Sequence, residues 1–305
     1  MILTATPNPA LDLTWVVESL QVGGTHRAEV GAVRAGGKGL NVARVAHAAG
    51  ADVRTVTTVG GATGDEFRHD LEASGVPHRL IPVAASTRRS AAWVDDALGD
   101  TTIVNELGVN PSDEEWTRVV DAVREEVTAA SVLVIAGSLP PRAPPSLLPQ
   151  LIGLGAGIDV IVDTSGAGLL AAADAGAAVL KPNRAELVEA TGRADPIDGA
   201  RELLRRGAGL VLVSLGADGL CAVSGEAVLQ ARLPQPLAGN PTGAGDAAVA
   251  AAACLMDDGI HDTETILRRA AAWSAAAVLM PLAGEISPSW RELERALIVE
   301  KPLAA

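Results

Sequence analysis

Asn240-Pro241-Thr242-Gly243-Ala244-Gly245-Asp246 follows a polar loop and runs straight into an apolar, alanine-rich helical segment, Ala247 to Met256. Its two glycines let the backbone come close to a ligand and turn successive N–H groups the same way. The helix behind them adds the positive end of its dipole, which makes an anion site at a helix N-terminus. Asp246 stands at the mouth of that site. It is read either as a helix cap or as a base that takes a proton from a hydroxyl attacking a phosphoryl group.

A second glycine-rich segment, Gly36-Gly37-Lys38-Gly39-Leu40-Asn41-Val42-Ala43, opens a helix predicted to run to about Ala49. It lacks both the Walker A spacing and the Ser or Thr that follows the lysine there. The loop can still approach a ligand, with Lys38 as a point charge and Asn41 as donor and acceptor together.

In this order, about 200 residues apart in a chain of 305, the two segments resemble the signatures of the ribokinase/PfkB-type carbohydrate kinases. The resemblance spans nearly the whole chain. It is closest to the branch that phosphorylates sugar phosphates: 1-phosphofructokinase, tagatose-6-phosphate kinase and the minor 6-phosphofructokinase. It implies a ribokinase-like three-layer α/β/α sandwich with a mostly parallel central sheet plus a small β-sheet lid. Residues 1–305 would form one kinase domain, with the lid built from about 11–34 and 88–106. ATP and Mg²⁺ would be the cofactors, and a homodimer through the lid the default assembly.

Residue by residue, the resemblance makes Asp246 the catalytic base and Gly243, Ala244 and Gly245 the anion hole. Asp12, Gly36, Gly37, Lys38 and Asn41 would hold the sugar. Ser138, Arg88 of the Thr87-Arg88 pair (with Arg89 as a near-equivalent) and Arg27 would hold its phosphate, favouring a phosphorylated acceptor over ribose or adenosine. Lys181, Asn183 and Glu186 come from Lys181-Pro182-Asn183-Arg184-Ala185-Glu186. With Ser214, Gly216, Gly219 and Thr242 they would line the nucleotide site, Glu186 reaching Mg²⁺ through water. The Asn-x-x-Glu spacing also reads as a helix capping box, and both roles can hold together. Asp163-Thr164-Ser165-Gly166 is expected to support the site from behind. Two positions depart from the family pattern. Asn240 replaces a frequent Asp, and Asn105-Glu106-Leu107-Gly108 only loosely matches the usual run in the lid.

Composition bounds the rest. A net charge of −13 argues against nucleic acid or anionic membrane as partners, though local cations can still bind a small anion. Hydrophobic residues make up 48%, enough for a sizeable core, yet no apolar run is long and unbroken enough to span a bilayer. Met1 to Pro7 reads as a first strand, not a signal peptide. Cys221 and Cys254 read as buried free thiols of a reducing cytoplasm. Of only three lysines, two fall inside the motifs above.

Short β-branched runs (54–59, 132–136, 160–162, 178–180 and 210–214) alternate with helical stretches, which implies a parallel sheet covered on both faces. Ligands on such sheets gather at the C-terminal strand ends, and the motif loops are expected to follow strands as that rule requires. Trp15 and Trp93, in two stretches without helical period, are either lid aromatics or core. The chain from about Glu300 reads as a loose tail. Two rivals stand: a dinucleotide enzyme using Gly60-Gly61-Ala62-Thr63-Gly64, and a catalytically silent sugar-phosphate sensor. A hydrolase reading lacks its nucleophile elbow, and the five histidines are scattered.

Overall fold

The computed structural model describes residues 1–301. The chain runs through β1 (Ile2–Thr6), β2 (Ala10–Val17), β3 (Ala32–Gly36), α1 (Lys38–Ala48), β4 (Val53–Val59), α2 (Gly61–Ala73) and β5 (His78–Pro82). A hairpin, β6 (Arg88–Asp95) with β7 (Asp100–Asn105), precedes α3 (Asp113–Glu126). Alternating units follow: β8 (Val132–Ala136), α4 (Leu147–Leu154), β9 (Asp159–Asp163), α5 (Ala167–Asp174), β10 (Val179–Leu180), α6 (Arg184–Thr191), α7 (Pro196–Arg206) and β11 (Leu210–Ser214). The last part holds β12 (Leu220–Ser224), β13 (Val228–Arg232), α8 (Ala244–Asp257), α9 (Thr263–Val278), α10 (Trp290–Ala296) and β14 (Ile298–Glu300).

Ten strands form the central sheet in the order β14-β13-β12-β11-β10-β9-β8-β1-β4-β5. Pairing is parallel from β11 to β5 and antiparallel through β12, β13 and β14. The strand period of two sorts side chains between two cores. On β8, Val132, Val134 and Ala136 join the cluster beneath α1, α2, α8 and α9. Leu133 and Ile135 join the cluster beneath α3, α4, α5 and α7. Helices on both faces explain why the strands are apolar throughout rather than alternating. The result is the expected three-layer α/β/α sandwich.

α8 is alanine-rich for a packing reason. Ala247, Ala248, Val249, Ala250, Ala251, Ala252 and Ala253 are all fully buried, so the helix is enclosed and only small side chains fit. Its N-terminus is thereby fixed against the sheet.

The two stretches without helical period form a separate four-stranded sheet, β3-β2-β6-β7. Asp12 on β2 lies opposite Arg34 on β3 and Ser90 on β6. Trp15 lies opposite Trp93, and their rings stack with centroids 6.3 Å apart, each half-buried. They pack on each other at the sheet surface rather than in the main core.

β1, β8, β9, β10 and β11 are mutually parallel, so the loops after them emerge on one edge. Two details differ from expectation. The Asn240–Asp246 segment does not leave a parallel strand but follows a long connection from antiparallel β13. Glu300 is no tail residue, since it pairs with Gln230 as the end of β14, and 302–305 lie outside the described residues.

Phe67 on α2 is the chain's one phenylalanine and is fully buried. Phe67→Ala should cost about 3–5 kcal/mol, read as a lower denaturant midpoint.

Candidate active site

α8 begins after Gly243, whose φ of +85° favours glycine, and a Cβ there would lie only 2.8 Å from the Ala283 Cβ. The Ala244 N–H donates to Pro241 O at 3.2 Å. Among the described residues the Gly243, Gly245 and Asp246 N–H groups are left without an acceptor. Of the expected Gly243, Ala244 and Gly245, only Ala244 spends its N–H within the turn, and Asp246 adds one. Asp246 makes no capping bond. Its carboxylate instead accepts from Asn41 Nδ2 at 2.8 Å. The helix-cap reading therefore fails on geometry. Burial pushes the Asp246 carboxyl up to about 6, and the charge of Asp163 adds to this against Lys38, Asn41 and Lys181.

Asp163, at the end of β9, is 1% exposed and holds two ammonium groups. Lys38 Nζ lies 2.8 Å from its Oδ1 and Lys181 Nζ 3.4 Å from its Oδ2. Burial works against ionisation here, but Lys181 and Lys38 together hold the carboxyl below its ordinary range. Lys38 also lies 3.7 Å from Glu186 Oε1, and its carboxylate neighbours keep it firmly protonated despite desolvation. Its side chain thus turns toward Asp163 and Glu186. Glu186 Oε2 accepts from the Asn183 N–H, while Asn183 Oδ1 accepts from the Glu186 N–H, both at 2.8 Å. The capping box is real, and it leaves the other Glu186 oxygen facing Lys38.

On the small-sheet side, Gly36 is required by Asp12, because a Cβ would fall 1.9 Å from Asp12 Oδ2. Burial pushes the Asp12 carboxyl up to about 7; Arg88, Arg34 and Arg44 oppose this, and Asp246 adds to it. Arg88 donates through Nε to Asn8 O and through Nη1 to Glu106 O, both at 3.2 Å. Asn8 Nδ2 in turn lies 3.2 Å from Ser138 Oγ and donates to Leu107 O at 3.1 Å. Arg88 and Ser138 therefore meet at Asn8. Arg89 instead pairs with Glu106 on the surface. Arg27 sits in an exposed loop and is not brought to this cluster.

Asn183, Ser214, Gly216, Gly219, Ala244 and Gly245 line one cavity of about 480 Å³, the size of a nucleotide site. Lys181 closes in behind Gly245, where a Cβ would come 3.0 Å from its Nζ. Thr242 faces a different, smaller cavity that it shares with Asp12 and Arg34. The Gly60–Gly64 turn cannot take a pyrophosphate. A Cβ on Gly60 would meet Ala85 O at 2.2 Å, and the Gly60 N–H donates to Thr87 Oγ1 at 3.2 Å, so the chain itself fills that turn.

Sequence reasoning missed Asn8, Asp163 as a hub, and the pairs Arg34–Glu285 and Arg44–Asp70. Asn8 lies close to Asp12 in the sequence, but its partners lie about 100 residues or more away. No local pattern carries such contacts.

The family profile described as pfkB family carbohydrate kinase matches residues 8–290. The chain belongs to the pfkB family of carbohydrate kinases. It is 37% identical over 272 residues to a protein of Haloferax volcanii named 1-phosphofructokinase, covering 87% of each chain. It is 33% identical over 297 residues to a 1-phosphofructokinase of Xanthomonas campestris, covering 94% of this chain and 93% of that one. Its fold matches Escherichia coli phosphofructokinase-2 in complex with fructose-6-phosphate, with a TM-score of 0.84 and 29% identity over 96% and 98% of the two chains.

A carboxyl with a raised folded-state pKa binds its proton more tightly in the folded chain, so it destabilises as pH rises from about 4 through that pKa. Asp12→Asn should therefore raise the melting temperature at pH 8 and change it little at pH 4.

Proposed function

We propose that this pfkB-family chain transfers the γ-phosphoryl group of ATP to a hydroxyl of a phosphorylated ketose, fructose 1-phosphate being favoured. The observation that carries the reading is the position of Asp246. It stands at a helix N-terminus, beside a nucleotide-sized cavity on one side and the Asp12, Arg88 and Ser138 cluster on the other. Asp246 takes the acceptor's proton as the hydroxyl attacks. The N–H groups of Gly245 and Asp246, together with Lys38, meet the charge that develops on the transferring group. Asn41 fixes the carboxylate through its amide, and its own buried Oδ1 has no partner among the described residues. Such an atom needs a donor, and an acceptor hydroxyl supplies one.

Arg88 and Ser138, aligned through Asn8, hold the phosphate the substrate already carries. The relatives named 1-phosphofructokinase favour fructose 1-phosphate. Tagatose 6-phosphate and fructose 6-phosphate remain the alternatives, since the same groups can serve all three.

The donor set suits Mg²⁺. Among the described residues no cluster of three or more acidic, His or Cys groups forms a cage, and Glu186 keeps one oxygen outside its capping bond. Mg²⁺ retains most of its waters and takes ligands from phosphates, so Glu186 would hold it through water. When bound it neutralises charge on the nucleotide phosphates.

Residues 1–305 are read as one kinase domain whose small sheet closes over the acceptor. That sheet exposes Val16, Val33, Ile103 and Val104, which supports pairing with a second copy of the chain. The free Cys221 and Cys254 fit a reducing cytoplasm, and no helix of the described residues is long and apolar enough to cross a membrane.

ADP release from MgATP, measured with the three sugar phosphates and with fructose and ribose, tests the reading. Activity confined to a phosphorylated ketose is expected, and silence on every acceptor would favour a sensor. Asp246→Asn should lower kcat by about 10²–10⁴-fold with the fold intact. Wild-type turnover in that variant would remove Asp246 from the role of base. Arg88→Ala should raise KM for the phosphorylated acceptor while leaving KM for MgATP near its starting value.

A further inference from the structure

The loop Pro281–Glu285, between α9 and α10, seats the anion hole. Ala283 packs on Gly243, and a Cβ on Gly284 would lie 3.0 Å from Arg44 Cδ and 3.4 Å from Asn41 Oδ1. Asn240 holds the start of this loop, donating from Nδ2 to Pro281 O at 3.0 Å. The far end is held from across the cleft. Arg34 on β3 donates through Nη1 to Ala283 O at 2.8 Å and through Nη2 to Glu285 Oε1 at 2.7 Å. β3 belongs to the small sheet, where Arg34 stands directly opposite Asp12. Thr101 on β7 adds a longer contact to Asn240, at 3.5 Å.

We propose that Arg34 is a positioning residue that latches the small sheet, and with it Asp12, to the loop seating Gly243. Holding the acceptor and shaping the anion hole then become one event. The inference rests on the kinase reading above. The chemistry favours arginine. A planar fork gives two directed bonds at once, one of them to a carboxylate, whereas a lysine gives a single movable charge. The fork ties a backbone carbonyl and a carboxylate of the same loop, so it fixes the loop's orientation as well as its distance.

A second consequence is electrostatic. The charged groups facing Asp12 are Arg88, Asp246, Arg34 and Arg44. The three arginines favour its ionised form, while burial and Asp246 oppose it. Without Arg34, Asp12 keeps its proton to higher pH. The acid limb of kcat/KM for the acceptor should then move upward.

The test compares the full-length wild type with Arg34→Met, Arg34→Lys and Glu285→Gln. Readouts are ADP formation across pH and hydrogen exchange at residues 243–246 and 281–285. Arg34→Met should exchange faster in both segments and shift the acid limb upward. It should also lose about 10²-fold in kcat, as a misplacement of about 1 Å does, with KM for MgATP unchanged. Arg34→Lys should restore the acid limb but not kcat. Glu285→Gln should keep the limb and lose part of kcat. Equal losses in all three variants with no shift of the limb would reduce Arg34 to a packing residue and overturn the proposal. A wild type inactive on every acceptor would sink the kinase reading, and exchange would still decide: unchanged protection at 281–285 in Arg34→Met overturns the latch.

Discussion

The buried carboxylate of Asp163 is the constraint on which the site depends. It holds Lys38 from α1 and Lys181 from the loop after β10, so three separate elements meet at one charge. Two ammonium groups this close would repel one another without it. Removing one partner from such a buried pair costs about 3–5 kcal/mol, because an uncompensated charge is left behind. Lys181 then underlies Gly245, and Lys38 reaches Glu186, so the same carboxylate aligns the anion hole with the start of α6. A net charge of −13 on the whole chain is compatible with this local concentration of cations.

The second organising feature is the graded state of the carboxyls. Asp163 is held ionised by its lysines, while burial pushes Asp246 to about 6 and Asp12 to about 7. The base proposed for this site needs a pKa near the working pH, and burial and the neighbouring Asp163 raise Asp246 toward one. Asp12 is kept from going higher by arginines on the small sheet and beneath it. All three are penalised by burial, but only in Asp12 and Asp246 does burial outweigh the neighbouring cations, a pattern that marks candidate functional groups.

The sequence made much of this legible. Fully apolar strands such as Val132–Ala136 announced a sheet covered on both faces, and the glycine-rich segments announced helix N-termini. Gly36 shows why such motifs carry information: its missing Cβ leaves the space that the Asp12 carboxylate fills. What stayed illegible was long-range and specific to side-chain direction. Lys38 reads as a sugar contact from its place in the loop, but its long flexible stem follows the buried charge of Asp163. Asp163 reads as support behind the site, and nothing local marks it as the charge that gathers both lysines. The Asn8–Ser138 and Arg34–Glu285 contacts join residues 130 and 251 positions apart, and no periodicity marks either.

Asn240 illustrates how a departure from a family pattern is absorbed. Its amide does two things at once, accepting from the Thr242 N–H at 3.0 Å and donating to Pro281 O at 3.0 Å. A carboxylate could accept the first bond but could not donate the second, and would face a carbonyl oxygen as a second acceptor. Asparagine therefore closes the gap between the anion-hole segment and the Pro281–Glu285 loop by a direct hydrogen bond. The backbone N–H of the same residue donates to Val278 O, so one residue ties the segment both to the end of α9 and to the loop that follows it. Asp246 lies further on, inside the first turn of α8, and keeps its own partner, Asn41. Asn240 thus braces the segment without touching the Asp246 carboxylate.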